Sequence, residues 1–200
     1  MKFFLIRHAD KAKGDYFSPR LRHDDQPISQ FGRMQANKLK KYFSKIPLKS
    51  IYVSEYIRTE QTARPLARKL KIVPILDSRL NEIDIGLVDR LSDDELRDRY
   101  PEIWSASQDW DRDFRWPEGE TGLEAQERIV SFINGQIDQE RSILIVAHDG
   151  IIRLLICHIL GLPVYRRIHF QVDTASVTEI EWDSIKSRWK LIRFNQSVNR

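Results

Sequence analysis

The chain has 200 residues, of which 41% are hydrophobic and 31% charged, and its formal net charge at pH 7 is +4. This composition is typical of a soluble globular domain and excludes a disordered chain. No apolar run approaches the roughly 20 residues that span a bilayer, and no zinc-finger or RNA-binding pattern accompanies the basic charge. We therefore expect neither a membrane nor a nucleic acid as a partner. The single cysteine, Cys157, cannot form an internal disulfide, and it favours a reducing, cytoplasmic location.

Short apolar runs mark the predicted strands. The clearest covers residues 142–147 and is typical of a strand that is covered on both faces. Two later runs, on either side of Asp183 and Ser184, predict a hairpin. The predicted strands lie at residues 2–6, 51–53, 72–75 and 142–147, and near 175–182 and 188–194.

Capping signals mark the predicted helices. Ser54 can cap a helix, and Ser92 and Thr121 each stand three residues before a glutamate, which predicts a capping box. Gly161 ends the helix that follows the clearest strand. The predicted helices run from near Ser29 to about Phe43, over roughly 56–70, from Ser92, from Thr121 and over about 150–160.

The alternation of strands and helices predicts one domain over residues 1–200, built as a three-layer α/β/α sandwich around a mostly parallel sheet. A long polar loop follows the first strand. A segment around 87–120 carries Trp104, Trp110 and Trp116 among acidic and basic residues, and we interpret it as an inserted cap rather than as core. In this fold class, the functional site lies at the carboxyl ends of the strands.

Polar residues that suit phosphate chemistry follow four of the predicted strands. Arg7 and His8 end the first strand, Arg58 and Glu82 follow the second and third, and His148 follows the clearest one. An arginine grips phosphoryl oxygens with its bidentate fork, and a neutral histidine can attack phosphorus. Gathering two arginines and two histidines at one edge of a sheet is costly unless an anion offsets the charge. The constellation therefore predicts a phosphate site.

Six short motifs surround these residues. Arg7-His8-Ala9 and His148-Asp149-Gly150 stand at strand ends, and further motifs lie at residues 25–36, 54–63, 80–86 and 117–121. In this order they resemble the motifs of the histidine phosphatase superfamily, in its phosphoglycerate mutase-like branch. The resemblance runs from residue 5 to about residue 153 and continues more faintly through the terminal hairpin. It implies a phosphoglycerate mutase-like fold and phosphate-ester chemistry.

The resemblance also implies a role for each candidate residue. His8 is the nucleophile that forms a phosphohistidine intermediate, and Arg7, Arg58 and His148 bind the phosphoryl group. Glu82 protonates the leaving oxygen and then activates water. Because the attack requires a neutral His8 in one tautomer, we expect its Nδ1–H to donate to a backbone carbonyl.

Further residues are candidates for the same site. Asp149 is the alternative acid, since a related branch of the superfamily uses an aspartate after the second histidine, although Asp149 can also cap the helix that it precedes. Lys11 and Arg22 are candidates for a second contact with the substrate anion. Arg166 and Arg167 could contact a substrate or a partner chain, but we favour the interpretation of a solvated pair.

The remaining histidines, His23, His158 and His169, stand at no metal-ligand spacing, so we expect no metal and no cofactor. Together the patterns predict a metal-independent phosphomonoesterase that hydrolyses small phosphorylated metabolites, as a monomer or a homodimer. One alternative is a phosphoglycerate mutase-type phosphotransferase, which is disfavoured because Ile85 stands where the family's mutases carry a tyrosine. The other is a non-catalytic phosphate-binding regulatory domain, which is disfavoured because the predicted nucleophile and acid are both present.

Overall fold

The computed structural model describes residues 1–137 and 142–198, and residues 138–141 and 199–200 of the predicted domain lie outside the described residues. The described residues form eight strands. They are β1 (Lys2–Arg7), β2 (Phe17–Ser18), β3 (His23–Asp24), β4 (Leu48–Val53), β5 (Ile75–Leu76), β6 (Ser142–Ala147), β7 (Val177–Asp183) and β8 (Arg188–Gln196).

Within the described residues, six of these strands make one sheet in the order β5-β4-β6-β1-β7-β8, while β2 and β3 pair with each other. Parallel pairing joins β5 to β4, β4 to β6 and β6 to β1. β7 runs antiparallel to β1, and β8 runs antiparallel to β7. The predicted mostly parallel sheet and the terminal hairpin are therefore confirmed.

Helices cover both faces of the sheet. No helix among the described residues is long and apolar enough to cross a membrane. Short 3-10 turns at Phe43–Lys45, Ser78–Leu80, Gly86–Arg90 and Val164–His169 join the larger elements. The helices are α1 (Gln30–Tyr42), α2 (Ile57–Leu70), α3 (Asp93–Arg99), α4 (Pro101–Asp109), α5 (Gly122–Asn134) and α6 (Asp149–Leu160).

The core lies on both sides of the sheet because successive side chains of a strand point to opposite faces. Phe3 and Leu5 of β1 pack with residues of α5 and α6, whereas Phe4 and Ile6 pack with residues of α1 and α2. β6 contributes residues to both clusters, as expected for a strand that is covered on both faces. The three-layer α/β/α sandwich is confirmed.

Local capping signals set the starts of three helices. Ser29 caps α1 by accepting a hydrogen bond from the Gly32 N–H. Capping boxes at Ser92 and Thr121 open α3 and α5, as predicted. At the other end of a helix, Gly161 follows α6 in the left-handed conformation, with φ of 67°.

Three local features differ from the sequence prediction or add to it. Ser54 does not cap α2, because the Ile57 N–H donates instead to Asp25 Oδ1 at 2.8 Å. The third strand covers only Ile75–Leu76 rather than 72–75, since it is an exposed edge strand that, within the described part of the chain, pairs only with β4. The polar loop after β1 contains the short β2–β3 ladder.

Candidate active site

The register of the parallel strands brings the candidate residues together. Arg7 pairs with Ala147, and Val53 pairs with Val146, so β1, β4 and β6 end at the same edge of the sheet. The residues that follow these strands are His8, Ser54 and His148. The two imidazole rings lie with their centroids 5.3 Å apart.

His8 is buried and held in one tautomer. Its Nδ1–H donates to the Ala9 carbonyl oxygen at 2.8 Å, as predicted, which leaves the lone pair on Nε2. Burial and the nearby charges of Arg58 and Arg7 lower the pKa of His8 to about 3. The ring is therefore neutral at physiological pH, which is the form that can attack phosphorus.

His148 is fully buried and takes the opposite tautomer. Its Nδ1 accepts an N–H from Arg58 Nη2 at 3.3 Å, so its Nε2 carries the proton and donates to Ser54 Oγ at 2.8 Å. Ser54 Oγ also bonds with Thr59 Oγ1 at 3.0 Å. Burial, together with the Arg58 charge, holds the pKa of His148 well below its usual range. The Ser54 hydroxyl thus orients the second histidine instead of capping α2.

Two arginines flank the histidines. Arg58 is buried, lies 4.1 Å from the centroid of the Tyr56 ring and has Asp25 Oδ1 at 3.9 Å. Arg7 Nη1 donates to the Val172 carbonyl oxygen at 2.5 Å. Within the described residues, the buried Nε of each arginine has no hydrogen-bond acceptor. Buried donors without acceptors cost free energy, and the oxygens of a phosphoryl group are acceptors that suit them.

Glu82 reaches the same edge of the sheet from the connection after β5. Its Oε2 accepts the Gly150 N–H of α6 at 3.2 Å, and Arg128 Nη2 donates to the Glu82 carbonyl oxygen at 2.9 Å. A Cβ on Gly150 would lie only 2.7 Å from Glu82 Oε1. The glycine of the second-histidine motif is therefore what allows the Glu82 carboxylate to approach α6.

Asp149 lines the same cavity as Glu82. Its Oδ1 pairs with Arg153 Nε at 2.7 Å, and its Oδ2 lies 3.9 Å from Arg7 Nη1. Burial raises the pKa of Asp149, although the two arginines oppose this shift. The expectation that Asp149 caps α6 is wrong, because Asp149 is the first residue of the helix and His148 stands at the cap position.

The site opens into a cavity of about 590 Å³. Lys11 lines this cavity, whereas Arg22 is not among the lining residues and pairs on the surface with Glu118 at 3.1 Å. Within residues 1–137 and 142–198, no three His, Cys, Asp or Glu side chains lie close enough together to hold a metal ion. The predicted residues that line the cavity are Arg7, His8, Lys11, Arg58, Glu82 and Asp149.

Another part of the cavity wall contains residues that were not predicted as members of the site. Trp110, Trp116 and Arg167 line the cavity together with Ile83 and Ile85. Arg167 is 4% exposed, and its guanidinium carbon lies 4.5 Å from the centroid of the Trp110 ring, so the interpretation of a solvated arginine pair is wrong. The clustering of tryptophans around 104–116 was the one available signal, because large aromatic side chains commonly line ligand sites.

His23 also lines the cavity, and its surroundings reverse those of His8. Its Nδ1 bonds with Asp89 Oδ2 at 2.7 Å, and its Nε2 bonds with Asp84 Oδ1 at 3.0 Å. Because carboxylates accept hydrogen bonds, both nitrogens carry protons. The hydrogen bond with Asp89 raises the pKa of His23. This clamp joins β3 to the segment that contains the 3-10 turn at Gly86–Arg90.

Comparison with known proteins identifies relatives of this chain. The sequence model of the histidine phosphatase superfamily (branch 1) matches residues 3–197. The chain is 26% identical to a probable phosphoglycerate mutase from Cronobacter sakazakii, over 94% of this chain and 87% of the relative. It is 26% identical to phosphoserine phosphatase 1 from Hydrogenobacter thermophilus, over 92% of this chain and 87% of the relative.

Solved structures give the same result for the fold. The crystal structure of the alpha-ribazole phosphatase from Shigella flexneri is similar with a TM-score of 0.80 and 25% identity, covering 98% of this chain and 97% of that one. The phosphoglycerate mutase-like fold and the family resemblance of the motifs are therefore confirmed. The protein is an enzyme of phosphate-ester chemistry, and its chain belongs to the histidine phosphatase superfamily, branch 1.

Proposed function

We propose that the protein is a phosphomonoesterase that hydrolyses small phosphorylated metabolites through a phosphohistidine on His8. The observation that carries this proposal is the neutral His8 ring, whose Nδ1–H is fixed on the Ala9 carbonyl oxygen. Its Nε2 is the nucleophile, and Arg7 and Arg58 supply donors and positive charge for the phosphoryl oxygens. The similarity to a phosphoserine phosphatase supports the same reading.

The first step transfers the phosphoryl group to the protein. The Nε2 lone pair of His8 forms a bond to phosphorus while the bond between phosphorus and the leaving oxygen breaks. An alkoxide is a poor leaving group, so Glu82, as a carboxylic acid, donates its proton to that oxygen and the alcohol departs neutral. The Nδ1–H of His8 stays on the Ala9 carbonyl oxygen throughout.

The second step returns the protein to its starting state. Water attacks phosphorus, the Glu82 carboxylate takes the proton that the water loses, and the bond between phosphorus and His8 Nε2 breaks. Inorganic phosphate leaves, and His8 is neutral again. His148 orients Arg58 through their 3.3 Å contact, and it binds a phosphoryl oxygen directly once a nearby dianion has favoured a proton on its Nδ1.

Glu82 and Asp149 are the two candidates for the acid, and we favour Glu82. The Glu82 carboxylate accepts backbone N–H bonds from Ile83 at 2.9 Å and Gly150 at 3.2 Å, which hold it in the cavity wall. Both carboxylate oxygens of Asp149 instead face arginines. Asp149 therefore serves as a counter-charge for Arg7 and Arg153.

The test uses one substrate with a good leaving group, p-nitrophenyl phosphate, and one alkyl ester, glycerol 3-phosphate. Glu82→Gln should reduce kcat/KM, which reports phosphoryl transfer to His8, by about 10²–10⁴-fold for the alkyl ester and much less for p-nitrophenyl phosphate. If Asp149→Asn shows this selective loss and Glu82→Gln does not, the two residues exchange roles. A wild-type protein that hydrolyses p-nitrophenyl phosphate at no pH between mildly acidic and neutral contradicts the proposal.

A second candidate function is phosphoryl transfer within a phosphoglycerate, which the name of the Cronobacter sakazakii relative suggests. We disfavour it because the cavity wall carries Ile85 where the family's mutases carry a tyrosine. Incubation with 3-phosphoglycerate separates the two functions. Release of inorganic phosphate supports hydrolysis, whereas isomerisation without release supports transfer.

We also propose a cytoplasmic location. The one cysteine of the sequence, Cys157, is a buried free thiol in α6, which suits a reducing compartment. Fractionation of cells, followed by immunodetection of the chain, tests this location directly. Recovery of the protein outside the cytoplasmic fraction contradicts it.

A further inference from the structure

Arg167 is a buried cation in the wall of the active-site cavity, and the proposed mechanism does not use it. Its Nη1 donates to the Val164 carbonyl oxygen at 3.1 Å. Its ion-pair partner, Asp113 Oδ1, lies 4.0 Å away, beyond hydrogen-bond distance, and already accepts the Gly122 N–H at 2.9 Å. A buried guanidinium without a direct carboxylate partner is costly, so its position calls for a ligand.

The chain around Arg167 is restricted in ways that keep the guanidinium in this place. Its carbon lies 4.5 Å from the centroid of the Trp110 ring, which is a cation–π contact. Trp110 has a φ of 49°, a left-handed conformation that residues other than glycine rarely adopt. A Cβ on Gly122 would lie 2.6 Å from Arg167 Nη1. The Trp110 ring and the absence of a side chain at Gly122 thus accommodate this arginine.

Arg167 lines the same cavity as Glu82, the proposed proton donor to the leaving oxygen. Burial lowers the pKa of Arg167, and the nearby charge of Asp113 opposes this shift. Ile83 and Trp116 add apolar surface to the same wall. A substrate whose phosphoryl group lies against His8 would therefore extend its alcohol portion past Glu82 toward Arg167.

We infer that Arg167 binds a carboxylate on the alcohol portion of the substrate, so that the protein prefers phosphate esters of small hydroxy acids. This inference rests on the proposed phosphatase function. The Asp113 carboxylate at 4.0 Å offsets part of the guanidinium charge, which suits a monoanion better than a second phosphate dianion. A carboxylate also matches the planar fork of an arginine.

The experiment compares two esters with the same carbon chain, by release of inorganic phosphate. 3-Phosphoglycerate ends in a carboxylate, whereas glycerol 3-phosphate ends in a hydroxymethyl group. The wild-type kcat/KM should favour 3-phosphoglycerate by roughly ten-fold or more, and Arg167→Gln should remove this preference mainly through KM. Arg166→Gln changes the exposed neighbouring arginine and should keep the preference.

A second variant of Arg167 tests the same role if the first one does not fold. If Arg167→Gln unfolds, Arg167→Lys keeps the charge and should reduce the preference about three-fold, because the fork is lost. The inference is overturned by a wild-type protein without the preference, by a preference that survives the Arg167 variants, or by one that Lys11→Gln removes instead. Hydrolysis of p-nitrophenyl phosphate separates the two failures. If the protein does not hydrolyse p-nitrophenyl phosphate, the proposed function is wrong. If it hydrolyses p-nitrophenyl phosphate but shows no preference for the carboxylate ester, only the role of Arg167 is wrong.

Discussion

Histidines in two parts of the cavity have opposite electrostatic surroundings. His8 and His148, which we call the floor histidines, lie buried beside arginines, and both pKa values are lowered. His23, which we call the rim histidine, lies between Asp84 and Asp89, and its pKa is raised. The comparison teaches that the charge of the neighbours decides whether an imidazole in this protein is a neutral nucleophile or a cation that joins two segments.

The largest expected effect comes from removing the nucleophile. His8→Gln takes away Nε2 and should reduce kcat for p-nitrophenyl phosphate by about 10³-fold or more, because no neighbouring side chain can form the phosphoryl intermediate. His23→Gln is the matched change at the rim and should keep kcat within about ten-fold. Equal losses in the two variants would contradict the distinction between floor and rim.

Acid should lower the stability that depends on the two neutral floor histidines. Below the ordinary histidine pKa of 6.5, the unfolded chain takes up protons on His8 and His148, whereas the folded protein, with the pKa of His8 at about 3, does not. The free energy of unfolding should therefore fall, as pH decreases from 6.5, by about 1.4 kcal/mol per pH unit for each floor histidine. Chemical denaturation over a pH series measures this slope. His8→Gln should remove one histidine's share of it, and an unchanged slope would count against a neutral His8.

The stability contributed by the rim histidine, His23, should change with pH in the opposite direction. Because its folded-state pKa is raised, the stability from His23 is fully present below 6.5 and is lost as pH rises through the raised value. His23→Gln should lower the free energy of unfolding by about 1–3 kcal/mol near pH 6, and the deficit should shrink as pH rises through the raised pKa of His23. The same denaturation series checks this. A deficit that does not change with pH would show that His23 acts only by packing.

The smallest expected effect is a rise in the pKa values of the floor histidines when a neighbouring cation is removed. Arg58→Met removes the cation that lies 3.3 Å from His148 Nδ1, and it should raise the pKa of both floor histidines. The effect is limited because burial, the first cause of both lowered values, remains. NMR titration of the imidazole C–H signals measures it. Unmoved pKa values would leave burial alone as the cause.

Sequence patterns predicted the features that near neighbours determine. The apolar run of β6 and the capping boxes at Ser92 and Thr121 each depend on residues within a few positions, and all were confirmed. The residues now seen together at the cavity were also found in the sequence, because parallel strands end at one edge and the motifs mark those ends. Fold and family therefore followed from local patterns.

Contacts between distant segments account for what the sequence did not show. The Ser54 hydroxyl bonds with His148, 94 residues further along the chain. The two carboxylates that hold His23 lie 61 and 66 residues away. Arg167 is buried against Trp110, although the sequence shows only two adjacent arginines in a polar turn. Each of these partners becomes visible only when the fold has placed the segments together.

The central claim is that His8 Nε2 carries the phosphoryl group during turnover. The most direct measurement mixes p-nitrophenyl phosphate with Glu82→Gln, in which the attack of water is slowed, and stops the reaction in alkaline denaturant before mass spectrometry. We predict one phosphoryl group on the peptide that contains His8, formed as fast as p-nitrophenolate appears and absent when His8 is also changed to Gln. Release of p-nitrophenolate without phosphorylated His8, or a phosphoryl group on His148 instead, would contradict the account.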